Sequence, residues 1–266
     1  MATATSRTRK VLGWSASLTR PRARIVHGED FPASQIEAAY RLRVGVLPNR
    51  PGLSETEARS DFERRLACSN LCCLIESRSD LLGVVAMNVA VHTWEGRDLW
   101  LVVGRFAALR PEIRGNRQYV RALASGLVRR TIRRPRLPRF AYGEAYPSSL
   151  LTAMALFDDM RLYDGPNAPD WEGRLLHHLA TTTEAGTLDP TRLAVRLRTV
   201  PAERDHRPRD PKRRELLRRY EQRNPHWREG YAIPVLLDLD AWALTTGVTR
   251  SLRQMLRDRR TSSPPV

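Results

Sequence analysis

Residues 109–123 of the chain read LRPEIRGNRQYVRAL. The pattern is that of a strand end, a turn at Pro111 and Gly115, and the start of a helix. Such a connection can wrap a pyrophosphate, because the first N–H groups of a helix have no partner inside it. Arg117 and Tyr119 stand where a phosphate cradle usually has glycine, which lets backbone approach phosphate closely. Three readings stay open at this point: a working cofactor loop, a rebuilt one, or a strand–helix connection. The three cysteines, Cys68, Cys72 and Cys73, fall at a helix end and a strand start, with no second cluster or histidine pair, which is not a zinc spacing. His92 stands beside Trp94 and Glu95 at a strand end and reads as a turn histidine before it reads as a base. His177 and His178 share a helix with no carboxylate at metal spacing. No GxSxG, HExxH or Walker pattern occurs, so hydrolase, zincin and P-loop chemistry find no support.

The segments that must position these residues follow from periodicity. RARIVHG (22–28) alternates as a strand. Ile36, Ala39, Tyr40 and Val44 recur at three and four, which predicts a helix closed by PNRPG. Ser54 and Glu57 have the spacing of a capping box and open a second helix over 54–67. LCCLIES and LLGVVAMNVAV flank RSD as a hairpin, and HTWEGRD turns the chain into LWLVVGRFAAL (99–109). A helix over 117–134 ends at Pro135 and Pro138, RFAYGEAY (139–146) is a short strand, and 147–163 is a helix with Pro147 near its start. Beyond it come a loop and helix over 164–190, an alternating strand over 192–200, and a charged linker over 203–212. The helix RRELLRRYEQR buries Leu216, Leu217 and Tyr220. NPHW then ends a helix at Asn-Pro with Trp227 as anchor, and Gly230 opens a strand in which Pro234 predicts an edge or a bulge. Short turns make the middle strands antiparallel. The strand–helix–strand unit over 99–146 is a right-handed parallel crossover. The expected fold class is α/β: a mixed sheet with helices on both faces.

The chain has 266 residues, of which 41% are hydrophobic, enough for a large core. Lys+Arg number 45 and Asp+Glu 29, a formal net charge of +16, and only Lys10 and Lys212 of the cations are lysine. The charge fits a solvated arginine-rich surface, or an acidic partner such as nucleic acid, an anionic membrane or an acidic carrier protein. The longest apolar run, at 81–91, is broken by Asn88 and is too short to span a membrane. Cysteine usage suggests a reduced, cytoplasmic protein. Residues 1–21 read as a basic, disordered tail, and the first 28 residues, acid-free and rich in arginine, resemble a transit peptide. Residues 22–248 read as one domain, and 249–266 as a basic terminal helix and tail.

The element order, with LRPEIRGNRQYVRAL and ALFDDMRL (155–162), resembles the GNAT superfamily of N-acetyltransferases. That family carries V-x-P-E-Y-R-G-x-G-x-G-x-x-L after its fourth strand. Pro111, Glu112, Arg114, Gly115 and Leu123 match it in register. ALFDDMRL is similar to the A-L-Y-E-K-L-G-F helix end that follows the fifth strand. The resemblance covers roughly residues 22–163. It implies a GNAT-like fold whose fourth and fifth strands splay apart, with acetyl-CoA or another acyl-CoA in the wedge as co-substrate and no metal. By register, Ala107, Leu109 and Arg110 face the pantetheine, with a backbone N–H near Leu109 as oxyanion donor. Arg114, Gly115, Asn116, Arg117, Gln118 and Tyr119 form the phosphate loop.

The departures lie at Arg117 and Tyr119, in place of the family's later glycines, and at Phe157, in place of a tyrosine that protonates the leaving thiolate. Arg161 and Leu162 replace the Gly-Phe of the second motif. Arg114 and Arg117 can return phosphate affinity through their side chains. Aminolysis of a thioester needs a base for the amine proton. Glu144, at the end of its short strand and close to the wedge, is the candidate, while Tyr142 and Tyr146 on the same strand are expected to pack. The implied activity is acyl transfer to a small-molecule or peptide amine. An acidic acyl carrier protein as donor, a catalytically inactive binding module, and nucleic-acid binding are the alternatives.

Overall fold

The computed structural model describes residues 21–239, except 79, 111–112, 114–116, 132–133, 148, 151–159, 184 and 202–210. The expected tail before residue 21, the part of the expected 147–163 helix that carries Phe157, the expected linker over 203–210 and the expected terminal helix at 249–266 lie outside the described residues.

In chain order the elements are β1 (Arg22–Val26), α1 (Ala33–Val46), α2 (Glu55–Ala67), β2 (Leu71–Ser77), β3 (Asp80–Trp94) and β4 (Arg97–Leu109). Then follow α3 (Arg117–Thr131), β5 (Arg139–Ala145), β6 (Met160–Leu162), α4 (Trp171–Thr182), β7 (Gly186–Asp189), β8 (Ala194–Leu197), α5 (Pro211–Arg223) and β9 (Tyr231–Asp238). The sheet is mixed, in the order β1-β2-β3-β4-β5-β9-β8-β7, with β6 also against β9. Every neighbouring pair is antiparallel except β4 and β5, which run parallel around the α3 crossover. Short turns allow antiparallel neighbours; a helix is needed to bring the chain back parallel.

The alternation of each strand feeds two cores. Cys72, Leu74, Val84, Ala86 and Phe106 face α1 and α2, where Tyr40, Phe62 and Leu66 cover them. Leu99, Leu101 and Tyr142 lie under Leu175, Leu176 and Leu179 of α4. On the opposite face Cys73, Ile75, Val85 and Val102 meet Leu123 and Leu127 of α3, and Ala145, Ile233 and Val235 meet Tyr220 of α5 and Trp227. The α1 periodicity holds, with one addition. Arg43 is also buried, its guanidinium 5.0 Å from the Tyr40 ring centre and 5.8 Å from that of Phe62.

The capping box is present. Ser54 Oγ accepts from the Glu57 N–H at 3.2 Å, and the Glu57 carboxylate accepts from the Ser54 N–H at 3.1 Å. Ser54→Ala is therefore expected to cost about 1 kcal/mol. Chemical denaturation checks this, and an unchanged midpoint would contradict it.

Several expectations are corrected. The helix predicted over 147–163 does not reach its end, because Met160–Leu162 is a strand paired with Leu237, Leu236 and Val235 of β9. The helix over 117–134 is described over Arg117–Thr131, and Arg134 lies in a bend beyond it. The strand over 192–200 is shorter, Ala194–Leu197, and follows a turn in which Leu193 has φ +50°. β7 within 164–190 was not anticipated. Pro211 and Lys212, assigned to the linker, belong to α5. Pro234 marks neither an edge nor a bulge: β9 lies between β5 on one side and β6 and β8 on the other. Its carbonyl accepts from the Tyr163 N–H at 3.0 Å, away from β5. The missing donor therefore falls between the pairing of Val235 with Leu162 of β6 and that of Ala232 with Val195 of β8, where no ladder bond is needed.

Candidate functional site

The parallel ladder between β4 and β5 is short. It pairs Trp100–Val103 with Arg139–Tyr142 and goes no further. The cause lies on the other side of β4. Ala86 of β3 is opposite Phe106 and Met87 is opposite Gly104, so Arg105 is an extra residue, a β-bulge. A bulge bends its strand and increases the local twist. Past it, Phe106–Leu109 stay paired with β3, while Gly143–Ala145 of β5 stay paired with Val235–Ile233 of β9. The two strands thus part into a wedge. Arg110 donates its N–H to Leu82 of β3 at 3.0 Å. Alternation then turns the N–H and C=O of Ala107 and Leu109 toward the wedge. α3 begins at Arg117, a few residues past the β4 end. Ile113 anchors the intervening turn in the α3-side core.

Glu144 stands on the β5 wall of the wedge, on the face shared with Tyr142 and Tyr146. The residue is half-buried. Burial pushes the Glu144 carboxyl up from its ordinary value. A hydrogen bond from Tyr142, the Arg65 charge and Thr183 pull it part of the way back. Thr183 Oγ1 lies 3.3 Å from both Glu144 Oε1 and the Tyr142 hydroxyl, and 2.8 Å from the Leu179 carbonyl. Its one proton is shared among these three acceptors, of which the Leu179 carbonyl is the nearest. Burial and the Glu144 charge raise the Tyr142 hydroxyl far above the ordinary tyrosine range, so it stays a donor. Arg65 of α2 ties the opposite side, donating to the Ala185 carbonyl at 2.8 Å and to that of Arg105 at 3.5 Å.

A raised carboxyl has a stability signature. The folded chain holds the Glu144 proton above the pH at which the unfolded chain releases it. Stability therefore falls as pH rises from the ordinary carboxylate range through the raised value. Glu144→Gln never ionises and escapes this loss. It is expected to match the wild type below about pH 4 and to be more stable at neutral pH. Denaturation curves taken across that range decide, and a constant difference at every pH would overturn the assignment.

The sequence-predicted residues divide into three groups. Glu144, Ala107, Leu109 and Arg110 border the wedge. Arg117, Gln118 and Tyr119 form the first turn of α3. Arg114, Gly115 and Asn116, like Phe157, lie outside the described residues. Tyr146 packs as expected, buried, with its hydroxyl donating to the Thr199 carbonyl at 2.6 Å.

The histidines are elsewhere. His178 stacks on Trp94 at 4.2 Å between ring centres and on His92 at 5.7 Å. His177 Nδ1 lies 2.8 Å from the Tyr163 hydroxyl. Burial, then the neighbouring His92 and His177, lower the His178 pKa. Arg65, Arg105 and Thr183 were not singled out from sequence. Among the described residues, no helix is long and apolar enough to cross a membrane, and no group of three or more His, Cys, Asp or Glu could hold a metal ion.

No protein-family model and no curated protein matches the sequence. Solved structures overlap it in part. A GCN5-related N-acetyltransferase from Kribbella flavida is 17% identical, with a TM-score of 0.35 over 53% of this chain and 33% of that one. An acetyltransferase from Trypanosoma brucei is 14% identical, with a TM-score of 0.37 over 57% of this chain and 99% of that one. An aminoglycoside N-acetyltransferase in complex with CoA is 14% identical, with a TM-score of 0.34 over 50% of this chain and 82% of that one. The chain spans a third of the length of the Kribbella structure.

Proposed function

We propose that this chain is an N-acyltransferase that moves an acyl group from acyl-CoA to an amine. The observation that carries the proposal is the wedge opened by the Arg105 bulge, with Glu144 on one wall and the Ala107 backbone on the other. An extended pantetheine arm carries amide groups. The strand edge at Ala107 offers it an N–H and a C=O in β-sheet spacing. The phosphates would lie toward the start of α3, where unpartnered N–H groups and the positive dipole end favour anions. Arg114 and Arg117 supply side-chain charge where the usual glycines are missing.

In the reaction the amine nitrogen attacks the thioester carbonyl. Its proton passes to Glu144, the C–S bond breaks, and the thiolate leaves. A backbone N–H near Leu109 stabilises the oxyanion. A carboxyl raised toward neutrality is a better base than an ordinary one, because a catalytic pKa works best near the operating pH.

The test is thermal denaturation of the purified chain with a series from acetyl-CoA to long-chain acyl-CoA. A ligand at 100 times its Kd stabilises by about 2.7 kcal/mol, an upward shift of the melting temperature. Release of free thiol on adding amines would follow. No shift with any acyl-CoA would overturn the proposal.

A further inference from the structure

The base is not the only unusual charge at the wedge. Burial, then the charge of Arg65, weighs against the charged form of Arg105, the bulged residue itself, while Cys68 and Glu144 favour it. The Arg105 Nε is buried with no hydrogen-bond partner. The neighbouring cations are settled on another acid: Asp61 takes Arg65 at 2.8 Å, Arg64 at 2.9 Å and Arg198 at 3.3 Å. A part-buried guanidinium with an unused donor is costly unless an anion completes it.

That anion is not the cofactor's pyrophosphate. Arg105 lies at the mouth end of the β4–β5 ladder, and Leu109, where the chain turns toward α3, is four residues on. At strand spacing this is roughly 13 Å. On the acyl-transfer reading, Arg105 stands beside the acyl group, and its charge interacts with Glu144. A guanidinium fork matches a carboxylate in geometry.

We infer that the acceptor is an amine that also bears a carboxylate, an amino-acid-like molecule, with Arg105 holding the carboxylate while the amine faces Glu144. The inference rests on the acyl-transfer reading for the role of the amine. The carboxylate site stands on Arg105 alone. Arg105 binds and orients; the proton is handled by Glu144.

Because the acylated product keeps the carboxylate, the test needs no turnover. The wild type, Arg105→Gln and Arg105→Lys are titrated calorimetrically with a panel of N-acetyl amino acids and with the corresponding amides. Acetyl-CoA is titrated in parallel. At least one acid is expected to bind the wild type tenfold or more tightly than its amide. Arg105→Gln is expected to bring acid and amide to equal affinity, and Arg105→Lys to keep part of the preference. Acetyl-CoA affinity should be the same in all three.

Acids and amides that bind the wild type alike, or no binding by any of them, would overturn the inference. So would an Arg105→Gln protein that weakens both classes equally. The two proposals fail separately. Acetyl-CoA binding without acid preference removes the carboxylate site and leaves acyl transfer. Acid preference without acetyl-CoA binding does the reverse.

Discussion

Replacing Glu144 by glutamine is expected to lower acyl transfer by about 10²–10⁴-fold, the usual share of a positioned general base. Glutamine keeps the shape of the side chain and its contact with Thr183, so the wedge and its ligand should survive. The melting shift given by acyl-CoA should therefore match that of the wild type. The pH profile carries the sharper signature. In the wild type the rate should rise with pH through an apparent pKa above the ordinary carboxylate range, since burial holds the Glu144 proton. In the variant that rise should vanish. A variant with full activity, or with the same rise, would remove Glu144 from the reaction. The same substitution is expected to stabilise the fold at neutral pH, so activity and stability should move in opposite directions. That pattern belongs to a residue kept in an unfavourable place for its chemistry.

Gly28→Ala is expected to destabilise the protein by roughly 3 kcal/mol or more. A Cβ at Gly28 would lie 1.9 Å from the Leu66 carbonyl oxygen and 2.5 Å from that of Ser69. Both are backbone atoms, so no side-chain rotation relieves the clash. The strand end or the end of α2 must move. Gly28 also donates its N–H to Ser69 at 2.7 Å, and Ser69 Oγ donates to the Arg65 carbonyl at 2.7 Å. The disturbance therefore reaches the helix end that carries Arg65, and acyl-CoA binding should weaken along with the fold. Gly45 is the control. It lies in α1 with nothing within 4 Å of its would-be Cβ, and alanine there should stabilise by about 0.5 kcal/mol. Equal melting temperatures for the two variants would show that the β1–α2 junction gives way freely.

Much of this architecture can be read along the chain because its determinants are local. Ser54 and Glu57 cap α2 within one turn. Arg78, then Glu95 and Gly96, all at positive φ, turn the chain where hydrophobic alternation stops, and the sheet order through β5 follows from those turns. Where determinants are not local, the reading fails. Met160–Leu162 continues a helical pattern, and becomes a strand only because β9 arrives beside it. Gly186–Asp189 is too short to show alternation, and Pro234 is tolerated by a gap between two partners that sequence does not place.

The site divides in the same way. Glu144 is legible as an acid at a strand end next to a phosphate-loop motif. The bulge at Arg105 depends on its pairing with β3, which no local pattern reveals. Arg65 meets Arg105 across 40 positions and Ala185 across 120. Its role is a product of tertiary folding alone.

The place of β9 has a consequence for how the chain comes together. The strand that fills the middle of the sheet is the last one made among the described residues. Until it emerges, β5 and β8 have open edges facing each other across a missing strand, and β6 has nothing to pair with. Contacts of such long sequence separation form slowly. During synthesis the first five strands can assemble while the outer pair waits, with unpaired edges available to other nascent chains. Conditions that slow the last stage of synthesis should therefore send more of this protein into aggregates than damage to any surface helix would.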